Sequence, residues 1–323
     1  MLLEVNNLKT YFFSDNRISK AVDGVSFSVD AGKILGIAGE SGCGKSLTAL
    51  SILNLIPAPG KIVDGQILYN GEDILQKDER ELRKIRGKEI SIIFQDPQTS
   101  LNPVFTIGNQ IAETIEVHTP ELKNKAKEIT IDMLSKVGIQ SAEQRFNQYP
   151  HELSGGQQQR AMIAMALACK PNLLIADEPT TALDVTVQAQ ILDLLANLQK
   201  DMGLSVIFIS HDLNVLRDLT NQMAIMYAGR IIEHGESADI YSNPLHPYTK
   251  GLFETLPSMR GKGKRLDTIP GRVPEVWDLP EGCKFHPRCK FKMDICEKIE
   301  PKLETITGTQ KTACHLYAPD KKS

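Results

Sequence analysis

Apolar and polar positions change their spacing several times along this 323-residue chain. Residues 2–13 and 21–30 alternate, as in LLEV and VSFSV, which predicts half-buried strands of an antiparallel sheet. Residues 33–39 (KILGIAG) are apolar up to a glycine. The segment that starts at Lys45 (KSLTALSILNLI) has apolar side chains at helical intervals until Pro57 and Pro59. The order predicted for this part is strand, glycine-rich loop and helix.

Further segments are continuously apolar and short enough to be buried strands: residues 89–94 (EISIIF), 172–177 (NLLIAD), 205–210 (SVIFIS) and 222–227 (QMAIMY). Helical patterns separate several of them, which favours a parallel sheet covered by helices on both faces. Residues 104–147 lack strand signals, which predicts a helical subdomain over about 100–165. The fold class predicted from the pattern is α/β.

The composition of the chain changes beyond Gly235. Prolines 244, 247, 257, 270, 274, 280 and 287 interrupt a loop-rich tail that contains four of the six cysteines. Length alone favours one large domain and one small one. We therefore predict a first domain over 1–235 and a C-terminal extension over 236–323.

Charge and hydrophobicity exclude several classes of protein. With 37 basic and 40 acidic residues the net charge is −3, so nothing favours global attraction to nucleic acid or anionic lipid. No apolar stretch reaches the ~20 residues that a bilayer span needs. The start MLLEVNNLKTYFF has no basic or apolar region of a signal peptide. We expect the chain to stay in the cytoplasm.

The strongest local motif lies between the apolar segment 33–39 and the helix predicted from Lys45. It matches G-x-x-x-x-G-K-[ST], a P-loop. Its glycines allow backbone N–H groups to close around phosphate oxygens, and the helix N-terminus adds a favourable dipole. Lys45 is then expected to reach the β- and γ-phosphates, and the Ser46 hydroxyl to bind Mg²⁺. The predicted nucleotide contacts are Gly39, Glu40, Ser41, Gly42, Cys43, Gly44, Lys45, Ser46 and Leu47.

Two adjacent carboxylates, Asp177 and Glu178, follow the apolar residues of segment 172–177. A strand that ends in acids delivers them to the carboxyl edge of a parallel sheet, where the P-loop is also expected. Asp177 would hold the Mg²⁺ shell, and Glu178 would polarise the attacking water as a general base.

A third motif precedes a strong helix-forming segment, AMIAMALA. It consists of Leu153, Ser154, Gly155, Gly156 and Gln157. Ser154 is a good helix N-cap, and the two glycines expose the first-turn N–H groups, which makes a second anion-binding helix start. Two such helix starts are more than one nucleotide needs within one subunit.

These motifs, in this order, resemble the nucleotide-binding domain of the ABC transporter family. LSGGQ at 153–157 matches the signature of that family, and Gln95 in IIFQDP is similar to its Q-loop glutamine. His211 after Ser210 is similar to its switch histidine, and TALD at 181–184 is similar to its D-loop, with Thr181 in place of the usual serine and Asp184 at its end. The resemblance implies a P-loop NTPase core with an antiparallel β sheet and a helical subdomain.

The same resemblance implies roles for individual residues. In the family, two such domains enclose two ATP molecules, so the signature of one subunit completes the P-loop site of the other. The catalytic residues would be Lys45, Gln95, Glu178 and His211, and the Mg²⁺ ligands would be Ser46, Gln95 and Asp177. Phe12, or Tyr11 beside it, would stack on adenine, and Val22 would lie against the nucleotide.

The tail resembles the C-terminal extension of dipeptide and oligopeptide permease ATPases, through NPLHPYT at 243–249, IPG at 269–271 and Cys283 within GCKFHPRC. The resemblance implies an ATP-hydrolysing subunit that energises uptake of dipeptides or oligopeptides. Its partners would be two transmembrane permease subunits, a second ATPase subunit (a paralogue or this chain itself) and an extracytoplasmic solute-binding protein. It would act as a peripheral protein at the cytoplasmic face of the membrane. Some members of the group serve nickel or another small solute, so the solute stays open.

The extension contains a group of cysteines: Cys283, Cys289, Cys296 and Cys314. The intervals of five, six and seventeen residues fit the C-x₂₋₄-C pairs of zinc sites poorly. A reducing cytoplasm disfavours disulfides. Four thiolates suit a [4Fe-4S] cluster, which peptide-importer ATPases resembling this chain carry. We predict that cluster, with Zn²⁺ and unliganded thiols as the alternatives.

Two other classes of function compete with transport. An ABC ATPase of the coiled-coil type acting on nucleic acid needs a long arm, but the interval between Gln95 and Leu153 is short and has no heptad run. The near-neutral charge also disfavours nucleic acid. A non-catalytic regulatory homologue would be expected to lack a motif, whereas Glu178 and His211 are both present.

Overall fold

The structure is a computed structural model that describes residues 1–14, 17–181, 183–255 and 269–317. Its strands are β1 (Leu3–Ser14), β2 (Arg17–Val29), β3 (Ile34–Ala38), β4 (Gly60–Tyr69), β5 (Glu72–Asp73), β6 (Ile90–Ile93), β7 (Leu173–Asp177), β8 (Ser205–Ser210), β9 (Gln222–Tyr227), β10 (Arg230–Glu236), β11 (Glu304–Thr307) and β12 (Gln310–Thr312). Its helices are α1 (Lys45–Ile52), α2 (Glu79–Ile85), α3 (Pro97–Ser100), α4 (Ile107–His118), α5 (Ala126–Lys136), α6 (Ala142–Arg145), α7 (Gly155–Leu167), α8 (Val185–Met202), α9 (Leu213–Leu219), α10 (Ser237–Ser242), α11 (Pro247–Glu254) and α12 (Asp294–Lys298). Within the described ranges, no helix is long and apolar enough to cross a bilayer.

The chain forms two compact units. The first consists of Met1–Val29, Ile34–Leu75 and Ile209–Ser323, and the second of Asp30–Lys33 and Gln76–Phe208. The boundary predicted near residue 236 does not coincide with this division, because the extension and the P-loop belong to the same unit. The change in composition near residue 236 therefore lies within the first unit and does not mark the division between the two units.

An antiparallel sheet opens the first unit, with the strand order β2-β1-β4-β5. β1 pairs with β2 on one side and with β4 on the other. Leu3, Val5 and Leu8 are fully buried along β1, while the residues between them are more exposed. The alternation read from the sequence therefore reflects one apolar face of this sheet, as predicted.

A second sheet of the first unit has the strand order β11-β12-β10-β9-β3. β3 and β9 are parallel, from Leu35 opposite Gln222 to Ala38 opposite Ile225, as the apolar run 222–227 predicts. β10 returns antiparallel to β9, and β12 pairs antiparallel with β10. The hairpin of β11 and β12 therefore extends this sheet, although the sequence of the tail predicts mainly loops.

The second unit contains β6, β7 and most of β8, in the order β8-β7-β6, with β6 parallel to β7. All five residues of β7 are buried. Helices α3 to α7 lie between β6 and β7 in the sequence, which confirms the helical character predicted for 100–165. Gly108 of α4 lies against Phe146, where an added Cβ would come within 2.2 Å of the ring, so the close packing of these helices requires a glycine.

Candidate functional site

The P-loop joins β3 to α1 within the first unit. Gly44 has a φ of +105°, and a Cβ there would lie 2.3 Å from the carbonyl oxygen of Ala21. Gly42 has a φ of +78°. Other residues rarely adopt such angles, so this turn of the backbone requires glycine at both positions. Cys43 is fully buried, so the loop offers its backbone N–H groups rather than this side chain.

Lys45 begins α1 and is only 5% exposed. Its Nζ donates hydrogen bonds to the carbonyl oxygens of Gly39 (2.9 Å) and Glu40 (3.2 Å). The ammonium group of Lys45 therefore lies against the backbone of the P-loop. The sequence predicts that this group contacts the phosphates. Ser46 follows it in the first helical turn and is half-buried.

His211 belongs to the same unit and follows the last residue of β8. The turn is fixed by Ser210, whose Oγ accepts a hydrogen bond from the Asp212 N–H at 3.0 Å. Asp212 in turn caps α9 by accepting from the Asn214 N–H at 2.9 Å. The side chain of His211 itself is exposed.

The three residues predicted to contact the adenine or the nucleotide differ in their burial and hydrogen bonding. The Tyr11 hydroxyl donates to Asp23 Oδ1 at 2.6 Å, and Asp23 is paired with Arg230 at 2.6 Å. Burial and this bond to Asp23 raise the pKa of Tyr11 above its usual range. Phe12 is half-exposed, whereas Val22 is fully buried. Val22 packs in the core of its unit, and its contact with a nucleotide stays a prediction.

The acid pair lies at the carboxyl end of β7 in the second unit. Glu178 has a φ of +46°, which is strained for a residue with a side chain and more so before Pro179. Its Oε2 accepts a hydrogen bond from Gln95 Nε2 at 3.3 Å and another from Thr181 Oγ1 at 3.0 Å. Two residues assigned separately from sequence, Gln95 and Glu178, therefore meet. The family usually has a serine at this position. Thr181 has a hydroxyl as serine does, so it still donates a hydrogen bond to Glu178.

Asp177, the other member of the pair, is 6% exposed. A carboxylate at the end of a buried strand is an acceptor-only oxygen group of the kind that Mg²⁺ binds. This chemistry suits the role that the sequence predicts for it.

The signature segment begins α7 in the same unit. Ser154 Oγ accepts from the Gln157 N–H at 3.3 Å, while Gln157 Oε1 accepts from the Ser154 N–H at 3.0 Å, so the predicted N-cap is confirmed as a capping box. A Cβ on Gly156 would come within 2.8 Å of Val187 Cγ1 in α8. Asp184 caps α8 by accepting from the N–H of Val187. The signature and the D-loop are therefore neighbours.

The signature segment and the D-loop differ in solvent exposure from residue to residue. Leu153 is buried and anchors the motif, whereas Ser154, Gly155 and Asp184 are exposed. A helix start with accessible N–H groups is an anion site. The helix start is therefore accessible to solvent, and its use as an anion site for the nucleotide of another subunit stays a prediction.

The cysteines of the extension approach one another without forming disulfides. The Cys283 N–H donates to the Cys296 carbonyl at 2.8 Å, and after burial the nearby Cys283, Cys289 and Cys296 also raise the pKa of Cys314. Burial raises the pKa of Cys283 and that of Cys314 to about 11. In the part of the chain that the structure describes, no group of three or more His, Cys, Asp or Glu side chains is arranged to hold a metal ion. The predicted cluster therefore stays a prediction.

Two residues that the sequence did not single out contact the P-loop from the tail. Arg288 forms an ion pair with the Glu40 carboxylate, and the Tyr248 hydroxyl accepts from the Glu40 N–H. Both lie in segments that resemble the permease-type extension, but nothing in their spacing indicates a contact with residue 40.

Two family profiles match the chain. The ABC transporter profile covers residues 22–181, and the profile of the oligopeptide/dipeptide transporter C-terminal region covers residues 232–296. The second match begins close to the change in composition seen near residue 236.

Curated relatives match over nearly the whole chain. The oligopeptide transport ATP-binding protein AppD of Bacillus subtilis is 47% identical over 98% of this chain and 97% of its own length. The dipeptide transport ATP-binding protein DppD of Escherichia coli is 44% identical over 99% of this chain and 98% of its own length. A probable peptide ABC transporter ATP-binding protein of Sinorhizobium fredii, y4tR, is 48% identical over 97% of this chain and 94% of its own length.

Solved structures give the same fold. The ATP-binding cassette MJ0796, in a dimeric post-hydrolysis structure bound to ADP and Pi, is 27% identical, with a TM-score of 0.66 over 73% of this chain and 99% of that one. The cbiO1 protein of Clostridium perfringens, part of the ABC transporter complex cbiONQ, is 26% identical, with a TM-score of 0.63 over 75% of this chain and 91% of that one.

Proposed function

Because the chain belongs to the ABC transporter ATP-binding family and has the C-terminal region of its oligopeptide/dipeptide branch, we propose that it hydrolyses ATP to drive uptake of dipeptides or oligopeptides. The observation that carries the catalytic part is Glu178, whose backbone is strained and whose carboxylate is held by Gln95 and Thr181. Strain of this kind persists where surrounding contacts enforce it, and it concentrates at active sites. Nickel or another small solute remains the alternative cargo.

Binding of the nucleotide rests on the P-loop. Its backbone N–H groups and the start of α1 surround the phosphates, and Lys45, already oriented by the carbonyls of Gly39 and Glu40, transfers its hydrogen bonds to phosphate oxygens. When bound, Mg²⁺ would neutralise charge that develops on the transferred phosphoryl group. We assign Ser46, Gln95 and Asp177 as its ligands, because hydroxyl, amide and carboxylate oxygens are the donors it prefers. Phe12 is the better candidate for stacking on adenine, since the hydroxyl of Tyr11 is engaged with Asp23.

Hydrolysis requires a base and an orienting group. Glu178 takes the role of general base and polarises the attacking water. Gln95 and Thr181 each donate to Glu178 Oε2, which fixes the direction of the carboxylate. His211 contributes a hydrogen bond to the γ-phosphate, because it is exposed and its turn is held by Ser210 and Asp212.

The partners follow from the same proposal. The exposed signature, Leu153 to Gln157, and Asp184 serve the ATP of a second ATPase subunit, which is either this chain or a paralogue. Two transmembrane permeases and an extracytoplasmic solute-binding protein complete the transporter, with this chain at the cytoplasmic face of the membrane. Purification of the tagged chain from native membranes tests this assembly. Recovery of two permease subunits and a peptide-binding protein is the expected outcome, and recovery of nucleic-acid-processing proteins instead would contradict it.

Gln95 is expected to couple ATP hydrolysis to transport. It follows β6, contacts Glu178, and precedes the segment DPQTSLNPV, which contains the short helix α3 and in the family meets the transmembrane partner. Gln95→Ala should therefore lower solute-stimulated ATPase activity and uptake in reconstituted vesicles more than it lowers ATP affinity. Gln144→Ala, which removes an exposed glutamine of α6, is the matched control. Unchanged uptake by the Gln95 variant would refute the coupling role.

We further propose that Cys283, Cys289, Cys296 and Cys314 ligate one [4Fe-4S] cluster. Their free thiols and the backbone hydrogen bond from the Cys283 N–H to the Cys296 carbonyl support it. Four cysteine sulfurs are the usual ligand set of such a cluster, and binding would require the thiols to lose their protons. A cluster bound by four cysteines would stabilise the fold of this small, loop-rich segment, because hydrophobic burial alone rarely stabilises such a segment.

Protein purified without oxygen should therefore be brown, with about four irons per chain and absorption near ~400 nm. Replacement of Cys289 and Cys296 by serine should remove the iron, while Cys169→Ser, in the second unit, should leave the iron content unchanged. ATP binding should remain measurable in the iron-free variant. Stoichiometric zinc without iron, or normal iron in the double variant, would overturn the assignment.

A further inference from the structure

Glu40, the first variable residue of the P-loop, is held from two sides by the C-terminal extension. Its backbone N–H donates to the Tyr248 hydroxyl at 3.0 Å. Its two carboxylate oxygens accept from the two terminal nitrogens of Arg288, at 2.7 Å and 3.1 Å. The side chain and the backbone of one P-loop residue are thus both fixed by residues more than 200 positions away in the sequence.

Arg288 is built into this position. Its side chain is 5% exposed, and its Nε donates to the Pro270 carbonyl at 3.0 Å. Its guanidinium lies 5.8 Å from the centre of the Tyr227 ring. A guanidinium that forms two parallel bonds to a carboxylate has a fixed orientation as well as a charge, and a lysine would not reproduce it.

Tyr248 is equally constrained. It is fully buried in α11 and packs against Tyr227 and Phe285, with ring centres 4.7 Å and 5.5 Å away. His246 caps this helix, since its Nδ1 accepts from the Tyr248 N–H at 3.0 Å. Burial lowers the pKa of His246 to about 3, so its imidazole is neutral and keeps this acceptor at neutral pH. The backbone N–H of His246 donates to the buried Glu233 carboxylate at 2.9 Å.

The contacts continue from Glu40 to the phosphate-binding lysine. The carbonyl oxygen of Glu40 accepts from Lys45 Nζ at 3.2 Å, next to that of Gly39. A shift of residue 40 would therefore move one of the groups that orient the lysine. We propose that Arg288 is a positioning residue for the nucleotide site, which it shapes through Glu40 with the support of Tyr248.

The ion pair between Arg288 and Glu40 also affects the charge of the P-loop. A carboxylate in a loop that binds phosphates repels the nucleotide unless a nearby cation compensates its charge. Arg288 supplies that cation at direct contact with Glu40. Loss of Arg288 alone leaves an uncompensated negative charge in the loop, whereas loss of both charges does not.

The test compares Arg288→Gln, Glu40→Gln and the double variant in the full-length chain. Mg-ATP affinity is measured by calorimetry, and KM and kcat by steady-state hydrolysis. Arg288→Gln should weaken affinity and raise KM about tenfold, in the range of typical couplings between linked sites, with little change in kcat. The double variant should regain part of the lost affinity, and Arg288→Lys should lie between wild type and Arg288→Gln. Lys290→Ala, which removes an exposed cation from the same segment, should behave as wild type.

The inference rests on the P-loop as the ATP site, and the two can fail separately. Absence of ATP binding by the wild-type chain would refute the ATP site itself. Normal affinity in Arg288→Gln would refute only the positioning role. A loss of affinity that Glu40→Gln does not relieve, together with a lower thermal unfolding temperature, would show that Arg288 serves folding alone and would also overturn the proposal.

Discussion

Glu178→Gln should bind Mg-ATP with nearly normal affinity yet hydrolyse it roughly 100-fold more slowly or worse, because a positioned general base contributes at least about that much. The amide keeps the shape of the side chain and an oxygen that accepts from Gln95 and Thr181, so the local hydrogen bonds survive. The variant should also accumulate as a closed, ATP-bound dimer. Phosphate release measures the rate, and size-exclusion chromatography with and without ATP measures the dimer.

A matched control for this variant is Glu143→Gln, which changes an exposed glutamate of α6 in the same unit. It should hydrolyse ATP at the wild-type rate. Steady-state hydrolysis by Glu178→Gln at a near-normal rate would refute the role of the base.

Lys45→Ala should weaken nucleotide binding itself, by roughly 10- to 100-fold, because it removes charge-assisted hydrogen bonds to the β- and γ-phosphates. The effect should be much smaller for AMP than for ATP, since AMP lacks both of these groups. Calorimetric titration of both nucleotides measures the difference.

Lys61→Ala provides the control for charge, because Lys61 is an exposed residue of β4 in the same unit. Thermal unfolding of both variants separates loss of binding from loss of fold. Unchanged ATP affinity in folded Lys45→Ala would contradict the assignment of the P-loop lysine.

The parts of the fold that were predictable from sequence are those specified by local pattern. The apolar segments 205–210 and 222–227 coincide with β8 and β9, because a continuous apolar run bounded by polar residues has few alternatives to a buried strand. The capping box at Ser154 and the glycine geometry at Gly44 likewise follow from a few neighbouring residues. These strands, the helix cap and the glycine turn were predictable because each is specified by residues that are contiguous in the chain.

Other features depend on residues far apart in sequence. The pairing of β12 with β10 joins strands about 75 residues apart, and no local pattern in a proline-rich tail predicts its register. Arg288 and Glu40 are 248 positions apart, and although Glu40 is predicted as part of the P-loop, nothing in the local sequence indicates Arg288 as its partner. The complete burial of the Val22 side chain likewise depends on tertiary packing and is not indicated by its local sequence.

The hydrogen bond between Gln95 and Glu178 was predictable from sequence only in part. Each residue was predicted as part of the site from its own motif, but the direct contact and the third partner, Thr181, depend on the left-handed turn at Glu178. A glutamate in that conformation is not indicated by composition or periodicity, because the strain is imposed by tertiary packing.

The central claim, that ATP hydrolysis by this chain drives peptide import, is tested most directly by uptake into proteoliposomes. The complete transporter, with its permeases and solute-binding protein, is reconstituted and supplied with a radiolabelled dipeptide or oligopeptide and Mg-ATP on the side of this subunit. We predict peptide accumulation that requires ATP with the wild-type chain and none with Glu178→Gln. No ATP-dependent uptake of any peptide tested, or equal uptake with both chains, would contradict the account.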